Sequence, residues 1–473
     1  MANEIIGREH EQALLKSLYE SQKAEFVAIY GRRRIGKTFL VKQFFKDNID
    51  FYATGIYQGT KEEQLGHFSK QINTYSKGYY PVPKDWFEAF DILKTYLSQL
   101  SNKKRIVVFI DELPWFDTHK SRFTKALELF WNSWASIQDN LLMVVCGSAT
   151  TWMTSKLIGD KGGLHNRLTR QIYLAPFTLR ESAALIKKQG VEFNSQQIAE
   201  CYMIMGGVPY YLSKLQKGLS LSQNIDALFF SKNAELKLEY EFLFKSLFEN
   251  SQLYQRVVDI LSTKKKGMTR KEILEGLGIT DSGNLTTVLN DLCLCDFVCK
   301  YSGFEKKERD TVYQLSDMYI LFYTQFVEGN NSLDSHYWSN MIDNPAKRAW
   351  SGFAFEQLCL HHIDQIKSAL GISGVQSNIY SWVSRGEGQG AQIDLVIDRR
   401  DDVINLCEMK YSSVKYEMTS DYADWMEERK ELFRQKTKTD KALHLTLVTL
   451  KGVKPNAHSN ILQNVICIED LIK

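Results

Sequence analysis

Two groups of residues have the types and spacing to do chemistry. The first is GRRRIGKT, Gly31 to Thr38, which fits G-x-x-x-x-G-K-[ST] and sits between the apolar run EFVAIY and a stretch of helical periodicity. Gly31 and Gly36 let the backbone curl so that its amides point inward at a phosphate, with Arg32, Arg33, Arg34 and Ile35 as the body of the loop. Lys37 reaches the β- and γ-phosphates of a nucleoside triphosphate, and Thr38 can ligate Mg²⁺. Downstream, RIVVFIDEL is an apolar strand ending in Asp111 and Glu112. Asp111 is suited to hold Mg²⁺ through water, and Glu112 to orient or deprotonate the attacking water. An acidic pair after a strand is by itself also a common surface turn; the phosphate loop is what favours the catalytic reading. MVVCGSAT sets Ser148 at the end of the next strand, where a hydroxyl can sense the γ-phosphate or simply close a turn. Arg167 and Arg170 precede a further strand, as an arginine finger acting across a subunit interface or as solvated surface arginines.

The second group lies in QGAQIDLVIDRRDDVINLCEMKY, which reads as a β-hairpin turning at Arg399 to Asp402. Period-two alternation predicts Ile393, Leu395 and Ile397 on one face and Asp394 on the other, with Glu408 and Lys410 sharing a face of the second strand. An amphipathic hairpin with a charged side gives such a pattern too. Glu408 and Lys410, however, interrupt an otherwise apolar strand, where unpaired charge is costly. A divalent metal, Mg²⁺ or Mn²⁺, held by Asp394 and Glu408 would offset that cost, polarise a phosphodiester and activate a water, with Lys410 steadying the developing charge. Glu356, in SGFAFEQLCLHH on a predicted helix, is a candidate further ligand.

The elements that must position these residues follow from length and pattern. A chain of 473 residues exceeds one ordinary core and predicts three or four domains. Its 44% hydrophobic and 24% charged residues exclude disorder as the default. No apolar run approaches a membrane span, and the charged opening MANEIIGREHEQ is unlike a signal peptide, so a cytoplasmic location is expected. The eight cysteines are scattered; Cys293, Cys295 and Cys299 lack paired spacing and a nearby histidine, which predicts reduced thiols rather than a metal site. A net charge of +3 does not announce nucleic acid, though Arg32 to Arg34 and Lys264 to Lys266 can form local basic patches.

Residues 1–175 alternate β-rich runs (EFVAIY, FYAT, RIVVFI, LLMVVC, QIYLA) with helical stretches, which predicts a parallel α/β sheet. Residues 176–235 read as a small helical lid opening with Thr178 and Glu181 at capping-box spacing. Residues 236–330 follow the order helix, helix, helix and hairpin of a winged helix. Its third helix, Ser282 to Leu294, would expose Asn284, Thr286, Thr287 and Asn290, which can read bases but give little phosphate affinity; Lys264 to Lys266, Arg270 and Lys271 could supply some of it. A role in packing or coupling is equally open. Residues 331–473 mix a helical opening with strands at SNIYSWVS, AQIDLVID, DVINLCEMKY and ALHLTLVTL.

IIGREHEQALL, the phosphate loop, FIDELPW, CGSA, LHNRLTRQIYLAPF and GGVPYYL together resemble the archaeal-type ATPase family, a branch of the AAA+ and STAND-related P-loop ATPases. The resemblance covers residues 1 to about 330 and implies that Ile6, Gly7 and Arg8 lie near the adenine, that Gly207 and Pro209 belong to a lid motif following nucleotide state, and that Arg167 is the arginine finger. The family commonly has two adjacent arginines where this chain has Arg167 and Leu168. The C-terminal group resembles the PD-(D/E)XK restriction-endonuclease-like fold, in which a helical glutamate, an aspartate and an E-x-K strand make a metal site. Ile393 stands where that motif's proline would be, and Gln392 where related domains often have an acid.

The expected architecture is a multidomain α/β chain: a P-loop sheet, a helical lid, a winged helix and a restriction-endonuclease-like α/β domain. The leading expectation is ATP hydrolysis joined to metal-dependent DNA cleavage, as would suit a defence or mobile-element protein. The alternative is a nucleotide-dependent switch whose C-terminal domain binds DNA or a partner without cutting. A protein-remodelling ATPase is a third reading, but the aromatic-Val-Gly pore motif it would need is missing from the sequence. Expected partners are ATP and DNA, with further copies of the chain should Arg167 act across an interface, and no membrane.

Overall fold

The apolar runs of the first 175 residues become five parallel strands in the computed structural model. The structure describes residues 4–159, 164, 166–248, 250–280, 283–301, 311–332, 334–384 and 391–473. These fall into two compact units, Met1–Ala175 and Pro176–Lys473. In the first, α1 (Glu9–Glu20) precedes β1 (Glu25–Tyr30), α2 (Lys37–Phe45), β2 (Ile49–Thr54), α3 (Lys61–Ser76) and α4 (Trp86–Ser98). Then come β3 (Ile106–Asp111), α5 (Phe123–Ser133), β4 (Leu141–Gly147), the one-turn α6 (Thr150–Trp152) and β5 (Arg170–Tyr173).

The sheet order is β2-β3-β4-β1-β5. Alternate residues of each strand enter different cores: Phe26, Ala28, Val108 and Ile110 pack on one face, and Val27, Ile29, Val107 and Phe109 on the other. Every residue of β3 and β4 is buried, which is why these strands read as unbroken apolar runs rather than alternating ones. Parallel strands end at one edge of the sheet, and this gathers Gly31 after β1, Asp111 at the end of β3 and Ser148 after β4.

The second unit opens with α7 (Leu179–Lys188), where Thr178 and Glu181 form the predicted reciprocal capping box. It continues through α8 (Ser195–Met205), α9 (Pro209–Leu212), α10 (Leu221–Ile225) and α11 (Glu235–Leu247). Next are α12 (Ser251–Ser262), β6 (Met268–Thr269), α13 (Arg270–Leu277), α14 (Gly283–Leu294), β7 (Val298–Tyr301) and β8 (Val312–Leu315). The three strands form an antiparallel ribbon in the order β6-β8-β7. Asn284, Thr286, Thr287 and Asn290 are all exposed on α14, while Ser282, where that helix was predicted to start, lies outside the described residues.

After α15 (Met318–Phe322), α16 (Pro345–His361) and α17 (Ile363–Ala369) come β9 (Ser377–Ser384), β10 (Ala391–Arg399) and β11 (Val403–Lys410). The chain closes with β12 (Tyr416–Glu417), α18 (Ser420–Thr437), β13 (Ala442–Thr449), β14 (Val453–Lys454), β15 (Asn464–Cys467) and α19 (Ile468–Ile472). A five-stranded mixed sheet runs β15-β13-β11-β10-β9, antiparallel across β9, β10 and β11 and parallel across β11, β13 and β15. One apolar cluster extends from Phe177 to Leu471, so the helices after residue 176, the ribbon module and one face of this sheet share a core. His362 stitches it: its Nδ1 lies 2.8 Å from the Leu358 carbonyl, and its Nε2 accepts the Leu179 amide at 2.9 Å.

Simple alternation fails in β10. The register against β9 shifts between Ile393 and Val396, and this bulge sends Ile393 with Val396 to the α18 face, while Leu395 and Ile397 face the opposite core. The predicted grouping of Ile393 with Leu395 and Ile397 is therefore corrected: an extra residue in one strand breaks the period of two. All eight cysteines are free thiols. Among the described residues no helix is long and apolar enough to cross a membrane.

Candidate functional site

The phosphate loop is set by backbone conformation before side chains enter. Gly31 has φ +141°, Arg34 +75° and Gly36 +89°. At Gly31 a Cβ would sit 2.5 Å from the Leu174 carbonyl oxygen, whereas at Gly36 the space is open and only the left-handed φ demands glycine. Lys37 follows at the first turn of α2, buried, its ammonium donating to the carbonyls of Gly31 and Arg32 at 2.9 Å each. These bonds hold the cation over the start of the loop. Arg32 is buried and Arg33 and Ile35 complete the turn. Arg8 donates to the Ala175 carbonyl at 2.6 Å, which brings it beside the Leu174 segment that Gly31 touches; Ile6 is half-buried two residues earlier.

Thr38 donates its hydroxyl to Asp111 Oδ2 at 2.8 Å, setting two hard oxygen ligands side by side, a donor set that fits Mg²⁺. Burial pushes the Asp111 carboxyl upward, and neighbouring Glu112 adds to this, against the Thr38 hydroxyl, the Glu112 amide and the Lys37 charge. Glu112 is in the left-handed region at φ +46° and its Oε2 accepts both the amide (3.1 Å) and hydroxyl (2.8 Å) of Ser148. Ser148 thus rests on the catalytic-type glutamate, a contact that strand-end position alone did not reveal. Arg167 is exposed in a turn, and Arg170 is exposed at the start of β5. Pro209 opens α9 in the second unit. There Gly207 accepts the Phe177 amide at 2.6 Å, and a Cβ on it would fall 1.8 Å from the Phe177 carbonyl oxygen.

The second unit holds a cleft of about 960 Å³ into which Asp394, Glu408, Lys410 and Glu356 all open. The β10–β11 register sets Leu395 opposite Cys407, and Asp394 and Glu408 are the residues just beyond that pair on their strands. The Asp394 carboxylate accepts the Met409 amide at 3.2 Å. Glu408 is only 7% exposed and its Oε1 has no hydrogen-bond partner; Gln392 Oε1 is likewise buried without one. Burial, then the Asp394 charge, raises the Glu408 carboxyl well above the usual range, while Lys410 and Arg429 oppose the shift. Burial also raises Asp394, and it pushes Glu356 up to about 7 with help from Asp394. Two buried acceptors aimed into a cleft beside a second carboxylate fit a divalent cation.

The expected third ligand needs correction. Glu356 stands on α16 and is linked to the pair by charge, but among the described residues no three His, Cys, Asp or Glu side chains converge to hold a metal ion. Sequence reasoning also missed Arg429 and Trp425 on α18. The guanidinium lies 3.2 Å from the centroid of the Trp425 ring, acts electrostatically on Glu408 and Asp394, and leaves Nε buried without a partner. Their i, i+4 spacing was a usable signal. Tyr411, directly after Lys410, anchors the end of β11 by donating to Glu200 on α8 at 2.6 Å.

Residues 5–215 match the family described as an ATPase domain predominantly from Archaea. An uncharacterised protein of Methanocaldococcus jannaschii is 24% identical over 419 residues, spanning 87% of this chain and 88% of its own. An uncharacterised ATP-binding protein of the same organism is 38% identical over 43 residues, 9% of this chain and 73% of that one. Among solved structures, a Walker-type ATPase of Pyrococcus abyssi superposes with a TM-score of 0.50 at 17% identity, covering 68% of this chain and 96% of the other; this likeness concerns fold. Residues 5–215 are therefore an archaeal-type ATPase domain, built on a parallel P-loop sheet and equipped to bind and hydrolyse nucleotide.

Proposed function

We propose that this protein hydrolyses ATP with Mg²⁺ at the Lys37 loop, and that nucleotide state governs a divalent-metal-dependent DNA nuclease-like domain in residues 331–473. In this reading residues 1–175 are the ATPase core, 176–235 a helical lid and 236–330 a winged helix. Lys37 and the loop amides hold the phosphates, Thr38 and Asp111 the Mg²⁺, and Glu112 orients the attacking water once Ser148 releases or shares it. Arg167 serves as a finger from a second copy of the chain. The order α12, β6, α13, α14, β7, β8 with its antiparallel ribbon supports the winged helix.

For the C-terminal domain, the observation that carries the reading is the partnerless, buried Glu408 Oε1 beside Asp394, on the same strand as Lys410. Asp394 and Glu408 would hold the metal, which when bound polarises a phosphodiester and lowers the pKa of a water. Lys410 neutralises charge on the phosphate. The bonds of His362 to Leu179 and of Tyr411 to Glu200 tie this domain to helices α7 and α8 of the lid, a route by which lid position bears on the cleft.

A second reading, a nucleotide switch whose C-terminal domain binds DNA or a partner without cutting, is favoured by Gln392 in the cleft and by the missing three-carboxylate group among the described residues. Incubating linear and supercoiled DNA with the full chain, Mg²⁺ or Mn²⁺, and ATP separates the two. Cleavage lost in Asp394→Ala and altered in Lys37→Ala is the expected result. Intact DNA alongside Lys37-dependent ATP hydrolysis selects the switch.

A further inference from the structure

The cleft that opens onto Asp394 and Glu408 has a second wall built by a different part of the chain. The turn between α12 and β6 brings Lys265 and Lys266 to it, from the module of residues 251–315. The turn is fixed through its main chain. Gln314 donates to the Lys265 carbonyl at 2.7 Å, Tyr301 to the Lys266 carbonyl at 2.9 Å, and the Gly267 amide to Lys264 at 2.8 Å. Lys264 is committed elsewhere, in an ion pair with Glu272 at 2.5 Å. Lys265 and Lys266, by contrast, are exposed and make no ion pair among the described residues, although Lys265 lies 5.3 Å over the Phe353 ring.

Both lysines nevertheless act electrostatically on Glu356, and Lys266 on Asp394 as well. Opposite charges face each other across the cleft without closing into bonds. An ordinary structural ion-pair network would neutralise itself; a site for a polyanion bridged by a cation would keep its acidic and basic walls apart.

We propose that Lys265 and Lys266 grip the phosphates of a DNA backbone lying in this cleft, so that the 251–315 module contributes to the carboxylate site and the nucleic acid is held between the two. The inference rests on the nuclease-like reading of the cleft and adds the residues that bind the backbone. It also relocates the DNA contact of this module. The exposed face of α14 carries no cation among Asn284, Thr286, Thr287 and Asn290, so phosphate affinity comes from the lysine turn instead.

The test uses the full chain, a short fluorescein-labelled DNA duplex and Ca²⁺ in place of Mn²⁺, with binding followed by anisotropy across a KCl series. The double variant Lys265→Ala/Lys266→Ala keeps the main-chain bonds that fix the turn. Lys271→Ala, an 86% exposed lysine on α13, is the control. The expected result is a salt slope shallower by about 2 in the double variant and unchanged in Lys271→Ala. Cleavage with Mn²⁺ should then show a raised KM for DNA with kcat retained, whereas Asp394→Ala loses cleavage and keeps the slope. A double variant with the wild-type slope, a Lys271→Ala effect of equal size, or a wild type that does not bind DNA overturns the proposal. If the double variant loses slope but no protein cleaves, the lysine contact stands and the nuclease reading falls. If the wild type cleaves and the double variant matches it, the nuclease reading stands and the lysine contact falls.

Discussion

The phosphate-loop site of the first unit and the carboxylate cleft of the second solve the cost of buried charge in different ways. In the first, the three groups placed for the chemistry are each hydrogen-bonded inside the protein: Lys37 to two loop carbonyls, Asp111 to Thr38, and Glu112 to Ser148. In the second, Glu408 Oε1, Gln392 Oε1 and Arg429 Nε are buried with none. A self-satisfied site is prebuilt and waits for its ligand at little cost, whereas an unsatisfied one stays strained until something binds. Under the proposed function, the difference separates a nucleotide site that exchanges ligands from a cleft that would hold a resident cation.

The comparison breaks most sharply at Lys37. Lys37→Ala should lower the turnover number for ATP by about 100- to 1,000-fold, read by phosphate release, because it removes a preorganised donor from developing phosphate charge. It should leave Mn²⁺ binding in the cleft of the nucleotide-free protein unchanged. A backbone contrast comes next. Gly36→Ala meets no atom and costs about 1 kcal/mol for its left-handed φ, while Gly207→Ala drives a Cβ to 1.8 Å from the Phe177 carbonyl oxygen and should cost about 3 kcal/mol or more, as read by urea denaturation.

His362 sharpens the contrast from within the second unit, since both its ring nitrogens are hydrogen-bonded. Burial lowers its pKa from 6.5 to about 4. Between those values the unfolded chain holds a proton that the folded one excludes. The neutral ring therefore contributes stability that is complete above pH 6.5 and is lost as pH falls towards 4, up to about 3 kcal/mol. His362→Gln should flatten the stability profile across that window relative to wild type; parallel profiles would mean that the ring titrates normally.

Much of the first unit was legible because its strands are short apolar runs ending in residues of distinctive chemistry, and a parallel sheet brings all those ends to one edge. The pairing of Ser148 with Glu112 was not, because it depends on the left-handed turn at Glu112, which sequence does not announce. In the second unit, alternation located Asp394, Glu408 and Lys410 but missed the bulge that separates Ile393 from Leu395. Lys265 and Lys266 stood out in the sequence only as part of a basic patch and Arg429 not at all, and their meeting in one cleft was illegible because they reach it from elements far apart along the chain, through contacts that periodicity does not encode.

The most direct measurement is calorimetric titration of Mn²⁺ into the nucleotide-free full chain, with Lys37→Ala and Asp394→Ala beside it. One binding event is expected, retained in Lys37→Ala and lost in Asp394→Ala. Equal binding by wild type and Asp394→Ala, or no binding by wild type, would contradict a metal site in the cleft.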